Sequence, residues 1–124
     1  MARADAIDDA RPGPPAEDQV DVAVEIFRML AEPTRVRILW TLTGRELAVG
    51  DLTVALDKPQ SLVSQHLAKL RVARLVTTRR DGSRIYYRLA NDHVRALVQD
   101  GLAHAEHAVP GVPVHRQSPS ASRP

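Results

Sequence analysis

The chain has 124 residues, a formal net charge of +2 at pH 7 and no cysteine. A chain without cysteine has no disulfide, no thiolate metal site and no thiol redox sensor. It contains no apolar run long enough to span a membrane and no signal-peptide hydrophobic region, so we expect a cytoplasmic protein without a membrane partner.

Prolines and charge divide the chain. Seven of the nine prolines lie in the two tails, where they disfavour regular structure. We therefore expect a disordered acidic tail over residues 1–18, one domain over 19–108, and a flexible tail over 109–124 that is a candidate for metal contact. A domain this small buries little of its surface, so dimerisation is a natural source of further stability.

Three helices are predicted outside the central segment. The first covers about 20–31 and has an apolar face made of Val20, Ala23, Val24, Phe27, Leu30 and Ala31. The second begins near Pro33 and ends near Gly44. The last begins near Asn91 and Asp92, both good caps, and ends at about Ala108. We expect the first and last helices to form the seam of a homodimer.

The central segment predicts a helix-turn-helix followed by a hairpin. A short helix over about 49–56 ends at the chain break of 57–59. The next helix has one apolar side, formed by Val63, Leu67, Leu70 and the alkyl stem of Arg74. Strands over 75–78 and 85–89 enclose a turn and make a wing. The predicted fold is mainly α with a β-hairpin wing, a winged helix-turn-helix.

The opposite side of that helix carries short, uncharged groups that suit base edges in the major groove, namely Ser61, Ser64, Gln65 and Ala68. Between Lys58 and Arg88, eight basic residues face one acid, which favours double-stranded DNA as the partner. Phosphate contacts are expected from Lys69, Arg79, Arg80 and Arg84. His66 lies at the edge of the face, where it packs or touches a phosphate. The alternative is a helix with an ordinary polar surface.

Three of the five histidines share one side of the last helix. His104 and His107 lie within about 40° of His93 around the helix, but His93 and His104 are about 16 Å apart along its axis. One chain cannot join these two on a single metal, because imidazole nitrogens bind zinc at about 2 Å. Two such helices packed antiparallel across a dimer bring His93 of one towards His104 and His107 of the other. The alternative is a polar stripe that faces solvent or caps the last turn.

Three segments resemble the ArsR/SmtB family of winged-helix repressors: E-L-A-V-G-D-L at 46–52, S-L-V-S-Q-H-L at 61–67 and R-D-G-S-R-I-Y-Y-R-L at 80–89. The similarity extends over roughly residues 20–108 and looks closest to the nickel- and cobalt-sensing members. The resemblance implies a homodimer that occupies a palindromic operator without metal and leaves when metal binds. Such repressors usually control a metal exporter or a sequestering protein.

The metal sites of the family carry over only in part. The C-x-C positions of the third helix are Ala48 and Gly50, so that thiolate site is absent. The aspartate of the zinc sensors' D-x-H is replaced by Asn91, whose neutral amide is a poorer ligand. The ligand set that the resemblance implies is His93, His104, Glu106, His107 and His115. Nitrogen and oxygen donors suit nickel, cobalt and zinc, and the resemblance favours nickel or cobalt over zinc.

Two other functions fit parts of the pattern. A winged-helix repressor that senses no metal would have the same helix-turn-helix and basic wing. The run H-A-E-H at 104–107 suggests a metallohydrolase, but neither H-E-x-x-H nor H-x-x-E-H is present and no cleft-forming sheet is predicted. We therefore expect neither enzyme activity nor a small organic substrate.

Overall fold

The computed structural model describes residues 13–109, which form five helices and a small antiparallel sheet. The elements in chain order are α1 (Glu17–Leu30), α2 (Pro33–Thr41), β1 (Leu47–Ala48), α3 (Val49–Leu56), α4 (Gln60–Val72), β2 (Val76–Asp81), β3 (Arg84–Leu89) and α5 (Asp92–Ala108). The predicted order of helices and wing is confirmed. Within this part of the chain no helix is both long and apolar enough to cross a membrane.

The core lies where the helix-turn-helix meets α2, α5 and the base of the wing. Its buried members are Ile38, Leu39, Leu42, Leu52, Val63, Leu67, Leu70, Leu75, Val76, Val94 and Val98. They recur at three- and four-residue intervals in the helices, which places one stripe of each helix against the others. The apolar stripe predicted for α4 is thus the one that the fold buries.

The sheet has the strand order β1-β3-β2. The wing strands pair from Val76 with Leu89 to Asp81 with Arg84, and Gly82 in the connecting turn has a φ of +65°, which glycine adopts without strain. The two-residue strand β1 pairs with Tyr86 and Tyr87 of β3. This pairing, which the sequence did not predict, joins the start of α3 to the wing.

Three helix boundaries differ from the prediction, the first being the end of α2, which lies at Thr41 rather than near Gly44. Helix α1 begins at Glu17, because the Gln19 side chain accepts a hydrogen bond from the backbone N–H of Ala16, so residues 17 and 18 of the expected acidic tail are helical. Helix α4 ends at Val72, and Arg74 has a left-handed φ of +64°. The expectation that Arg74 continues the helical face is therefore wrong.

A hydrogen-bonded cap explains the end of α4. The Leu75 N–H donates to the carbonyl of Leu70, and the Arg74 N–H donates to that of Arg71, both at 2.9 Å. This is the Schellman pattern, in which the left-handed position is usually glycine. The cap turns the chain sharply into β2.

Helix α1 has two apolar sides. Ile26, Met29 and Leu30 pack against the core, whereas Val20, Val24 and Phe27 remain 40–58% exposed. No residue of this 14-residue helix is fully buried. The predicted single apolar face is thus divided between the domain's own core and an open surface.

Candidate nucleic-acid interface and metal ligands

The turn between α3 and α4 is fixed by backbone geometry. Asp57 ends α3 in a left-handed conformation with a φ of +55°, and the Lys58 N–H donates to the carbonyl of Thr53 at 3.3 Å. Pro59 then precedes α4 with an extended backbone. Proline has no backbone N–H to donate to a preceding turn, so a helix that ends before it does not continue through it. The turn presents the amino-terminal part of α4 at the surface.

Helix α4 has a buried apolar side and an exposed polar side. Val63, Leu67 and Leu70 are fully buried. The residues that the sequence assigned to DNA are exposed along the other side, namely Ser61, Ser64, Gln65 and Lys69. These side chains are short or flexible and uncharged except for Lys69, so this surface of α4 can approach base edges closely.

His66 occupies a different environment from its neighbours on α4. Its side chain is only 12% exposed. Its Nδ1 lies 3.3 Å from Nη1 of Arg35, and its Nε2 lies 3.9 Å from Oε1 of Glu32. The ring therefore packs against the start of α2, which is one of the two environments expected for it, and its phosphate contact stays a prediction.

The wing is tied to the segment before α3 by Arg79. Its Nε and Nη2 donate to Oε1 of Glu46 at 3.1 and 2.8 Å, and its Nε also lies 3.2 Å from Oε2. The guanidinium lies 4.9 Å from the ring centroid of Tyr86. The hydrogen bond from Arg79 holds the pKa of Glu46 below its ordinary value, against the opposing effect of burial, and Glu46 in turn raises the pKa of Arg79. Sequence reasoning missed Glu46, whose only signal was its charge.

The other wing arginines have weaker partners. Arg84 lies 3.7 Å from Asp51 and 5.4 Å from the Tyr86 ring centroid. Arg80 is exposed, and no carboxylate of residues 13–109 lies within ion-pair distance of it. Of the predicted phosphate ligands in the wing, Arg80 is thus the most available and Arg79 the least.

Four of the five candidate metal ligands lie on α5. His93, His104 and His107 are exposed, and Glu106 is half-buried. The Asn91 side chain caps the helix by accepting from the Val94 N–H at 3.1 Å. His115 lies outside the described residues. Within residues 13–109 no three side chains of metal-binding type are grouped closely enough to hold one ion.

Comparison with known proteins identifies relatives over most of the chain. The family described as "Bacterial regulatory protein, arsR family" matches residues 32–78. The HTH-type transcriptional regulator KmtR of Mycobacterium tuberculosis is 56% identical over 110 residues, which cover 89% of this chain and 85% of that protein. The HTH-type transcriptional repressor SmtB of the same species is 44% identical over 94 residues, covering 76% and 70% of the two chains.

A solved structure supports the fold. The homodimeric winged helix-turn-helix DNA-binding domain Mb0332 of Mycobacterium bovis superposes with a TM-score of 0.68 at 29% identity, covering 79% of this chain and 94% of that one. Family and relatives are transcriptional regulators rather than enzymes, which confirms the resemblance and, at the level of the family, DNA as the partner. The chain is therefore a winged helix-turn-helix transcriptional regulator that belongs to the arsR family of bacterial regulatory proteins.

Proposed function

We propose that the protein is a metal-responsive repressor that acts in the cytoplasm. In the metal-free form it binds a palindromic operator as a homodimer, and binding of nickel or cobalt, or of zinc, releases it and derepresses a metal efflux or resistance gene. The observation that carries the proposal is the presence, on one small domain, of a polar reading surface on α4 and an exposed histidine stripe on α5.

The DNA contacts follow from exposure and charge. Ser61, Ser64 and Gln65 face outward from the part of α4 that enters a major groove in helix-turn-helix proteins. We assign the phosphate-backbone contacts to Lys69, Arg80 and Arg84, which are basic and exposed. Arg79 instead braces the wing through Glu46.

Homodimerisation follows from the open side of α1. Val20, Val24 and Phe27 are apolar and exposed along one side of that helix. On α5, Leu97 and Leu102 are also more than a third exposed. Burying these residues against a second copy removes apolar area from water at about 25 cal/mol per Å². The homodimeric state of the Mycobacterium bovis domain supports the same assembly.

The metal ligands are supplied across the dimer. His93 stands at one end of the stripe and His104 and His107 at the other, so an antiparallel pair of α5 helices provides two symmetric sets of imidazoles. Glu106 and His115 are further donors, with His115 contributed by the tail over 109–124. A set of nitrogen and oxygen donors with more than four members suits nickel or cobalt better than tetrahedral zinc.

Binding of a metal ion by both α5 helices favours one dimer geometry, and binding of DNA favours another. Metal and operator must then weaken each other by the same factor, since coupling between two sites is reciprocal. Imidazole nitrogens bind metal only when unprotonated, so metal affinity falls as the pH falls.

A second candidate is a repressor of the same fold that senses no metal. It is favoured by the exposure of His93, His104 and His107 and by the lack of a three-ligand group within the described part of a single chain. In that case the histidines are solvent-facing groups, and their replacement leaves the regulation of DNA binding unchanged.

Cobalt(II) titration of the purified full-length dimer, followed by absorption, separates the two. We expect stoichiometric binding that is lost in both His93→Ala and His107→Ala and kept in Gln99→Ala, an exposed residue of the same helix. The spectrum reports four-coordinate or higher geometry. No binding by the wild-type protein, or a metal affinity unchanged by saturating operator DNA, contradicts the proposal.

A further inference from the structure

Arg35 contacts two other helices from its position in the first turn of α2. Its Nε donates to the carbonyl of Met29, at the carboxyl end of α1, at 2.8 Å. Its Nη1 lies 3.3 Å from Nδ1 of His66 on α4. One rigid, planar guanidinium therefore spans from the helix with the exposed apolar side to the helix with the reading surface.

Two polar side chains flank the His66 ring. A guanidinium has donors only, so a hydrogen bond between these two side chains has Nδ1 of His66 as its acceptor, which requires the tautomer with its proton on Nε2. That nitrogen faces Oε1 of Glu32 at 3.9 Å, and the same oxygen accepts the Arg35 backbone N–H at 2.8 Å, capping α2. Burial raises the pKa of Glu32, but the backbone hydrogen bond from Arg35 and the charge of its guanidinium oppose that effect, and the pKa lies below its ordinary value.

Beside this bridge, the carboxyl-terminal halves of α1 and α4 are not closely packed against each other. An open, mostly apolar groove of about 470 Å³ lies there, lined by Glu25, Met29, Ala68, Lys69, Val72 and Ala73. Close-packed side chains resist displacement, whereas an unfilled groove does not. The hydrogen-bonded bridge through Arg35 is thus a polar link between the end of α1 and α4, beside the apolar contacts that each helix makes with the shared core.

We propose that Arg35 and His66 are positioning residues that set the orientation of α4 relative to α1, and thereby the spacing of the two α4 helices in the dimer. The inference rests on the homodimer of the proposed function. His66 directly follows Gln65, which belongs to the exposed polar surface of α4. A rotation of α4 about the Arg35–His66 contact therefore moves that surface. The bridge therefore affects the preference of the dimer for one spacing of the two half-sites. It does not affect the affinity of one subunit for one half-site.

The test measures spacing preference. A palindromic duplex is first selected by the wild-type protein from a randomised library. Affinities are then measured by fluorescence anisotropy for this duplex, for one with its half-sites moved two base pairs further apart, and for one with a single half-site. Two base pairs rotate one half-site by about 70° around the duplex, so the wild-type dimer discriminates strongly between the first two.

We expect Arg35→Gln to reduce the spacing preference by about ten-fold, a coupling within the range of contacting residues, while affinity for the single half-site stays within about two-fold of wild type. His66→Gln has the same effect, and the double variant adds little to it because both remove one bridge. Arg37→Gln, on the exposed side of α2, keeps the wild-type preference. Circular dichroism and heat denaturation establish that each variant is folded.

Three results overturn the inference. The first is that Arg35→Gln and His66→Gln keep the full spacing preference. The second is that both variants lose affinity equally for every probe, since an equal loss shows a role in folding alone. A wild-type protein without any spacing preference contradicts the homodimer itself, and this failure of the proposed function is visible before any variant is measured.

Discussion

Replacing Arg79 and Arg80 by glutamine, one at a time, tests whether the two arginines have different roles. We expect Arg79 to stabilise the wing through Glu46 and Arg80 to bind a phosphate. The two residues are adjacent in β2 and carry the same charge, but their surroundings differ. Arg79 makes a two-pronged hydrogen bond with Glu46 and lies 3.9 Å from Asp81. Arg80 is exposed and has no ion-pair partner in the described part of the chain.

The magnitude follows from counterion release. Each phosphate that a protein neutralises contributes about 0.9 to the slope of log K against log salt concentration. A dimer places two wings on the operator, so Arg80→Gln should reduce the magnitude of the slope by about 1.8. Arg79→Gln should weaken binding by loosening the wing but leave the slope close to that of wild type, because its charge is already matched by Glu46.

Fluorescence anisotropy on one operator duplex over a series of salt concentrations gives both quantities. Arg28→Gln removes the same charge from α1, where Arg28 pairs with Glu25 at 2.7 Å, and controls for the change in net charge. If Arg79→Gln lowers the slope as much as Arg80→Gln does, then Arg79 leaves Glu46 for a phosphate and the assignment of the brace is wrong.

Three further outcomes are expected. Gln65→Ala should relax preference at one base pair of the operator by about 1–3 kcal/mol, measured with a panel of single-base variants, whereas a uniform loss on all sequences would contradict base reading. Arg74→Gly should raise the free energy of unfolding by about 0.5–1 kcal/mol, because glycine fits the left-handed cap position without strain; a loss of stability in urea denaturation would contradict the cap. The folded-state pKa of Glu46 is lowered from 4.5, so its pair with Arg79 stabilises the fold above that value and the contribution is lost as the pH falls through the lowered pKa. The stability difference between wild type and Glu46→Gln should accordingly shrink in acid, and a difference that stays constant with pH would show that the pair contributes nothing.

The elements of the fold were predictable because their signals are local. The spacing of Val63, Leu67 and Leu70 indicates a helix and its buried side, and the turn around Gly82 between two alternating segments indicates a hairpin. The end of α4 was not predictable, since Arg74 takes a cap position that glycine usually occupies. The strand β1 was also missed, because two residues are too few to show a period.

For the candidate site, the sequence by itself determined which residues are exposed on α4, how basic the wing is and that no thiolate ligand exists. It did not determine the partners of those residues. Arg35 meets His66 across 31 positions of sequence, and Arg79 meets Glu46 across 33. Periodicity assigns each side chain to a face of its own element, whereas a contact between elements depends on how the elements pack. Only the tertiary structure therefore decided that one histidine of α4 packs inward and that one arginine of the wing is paired with a glutamate.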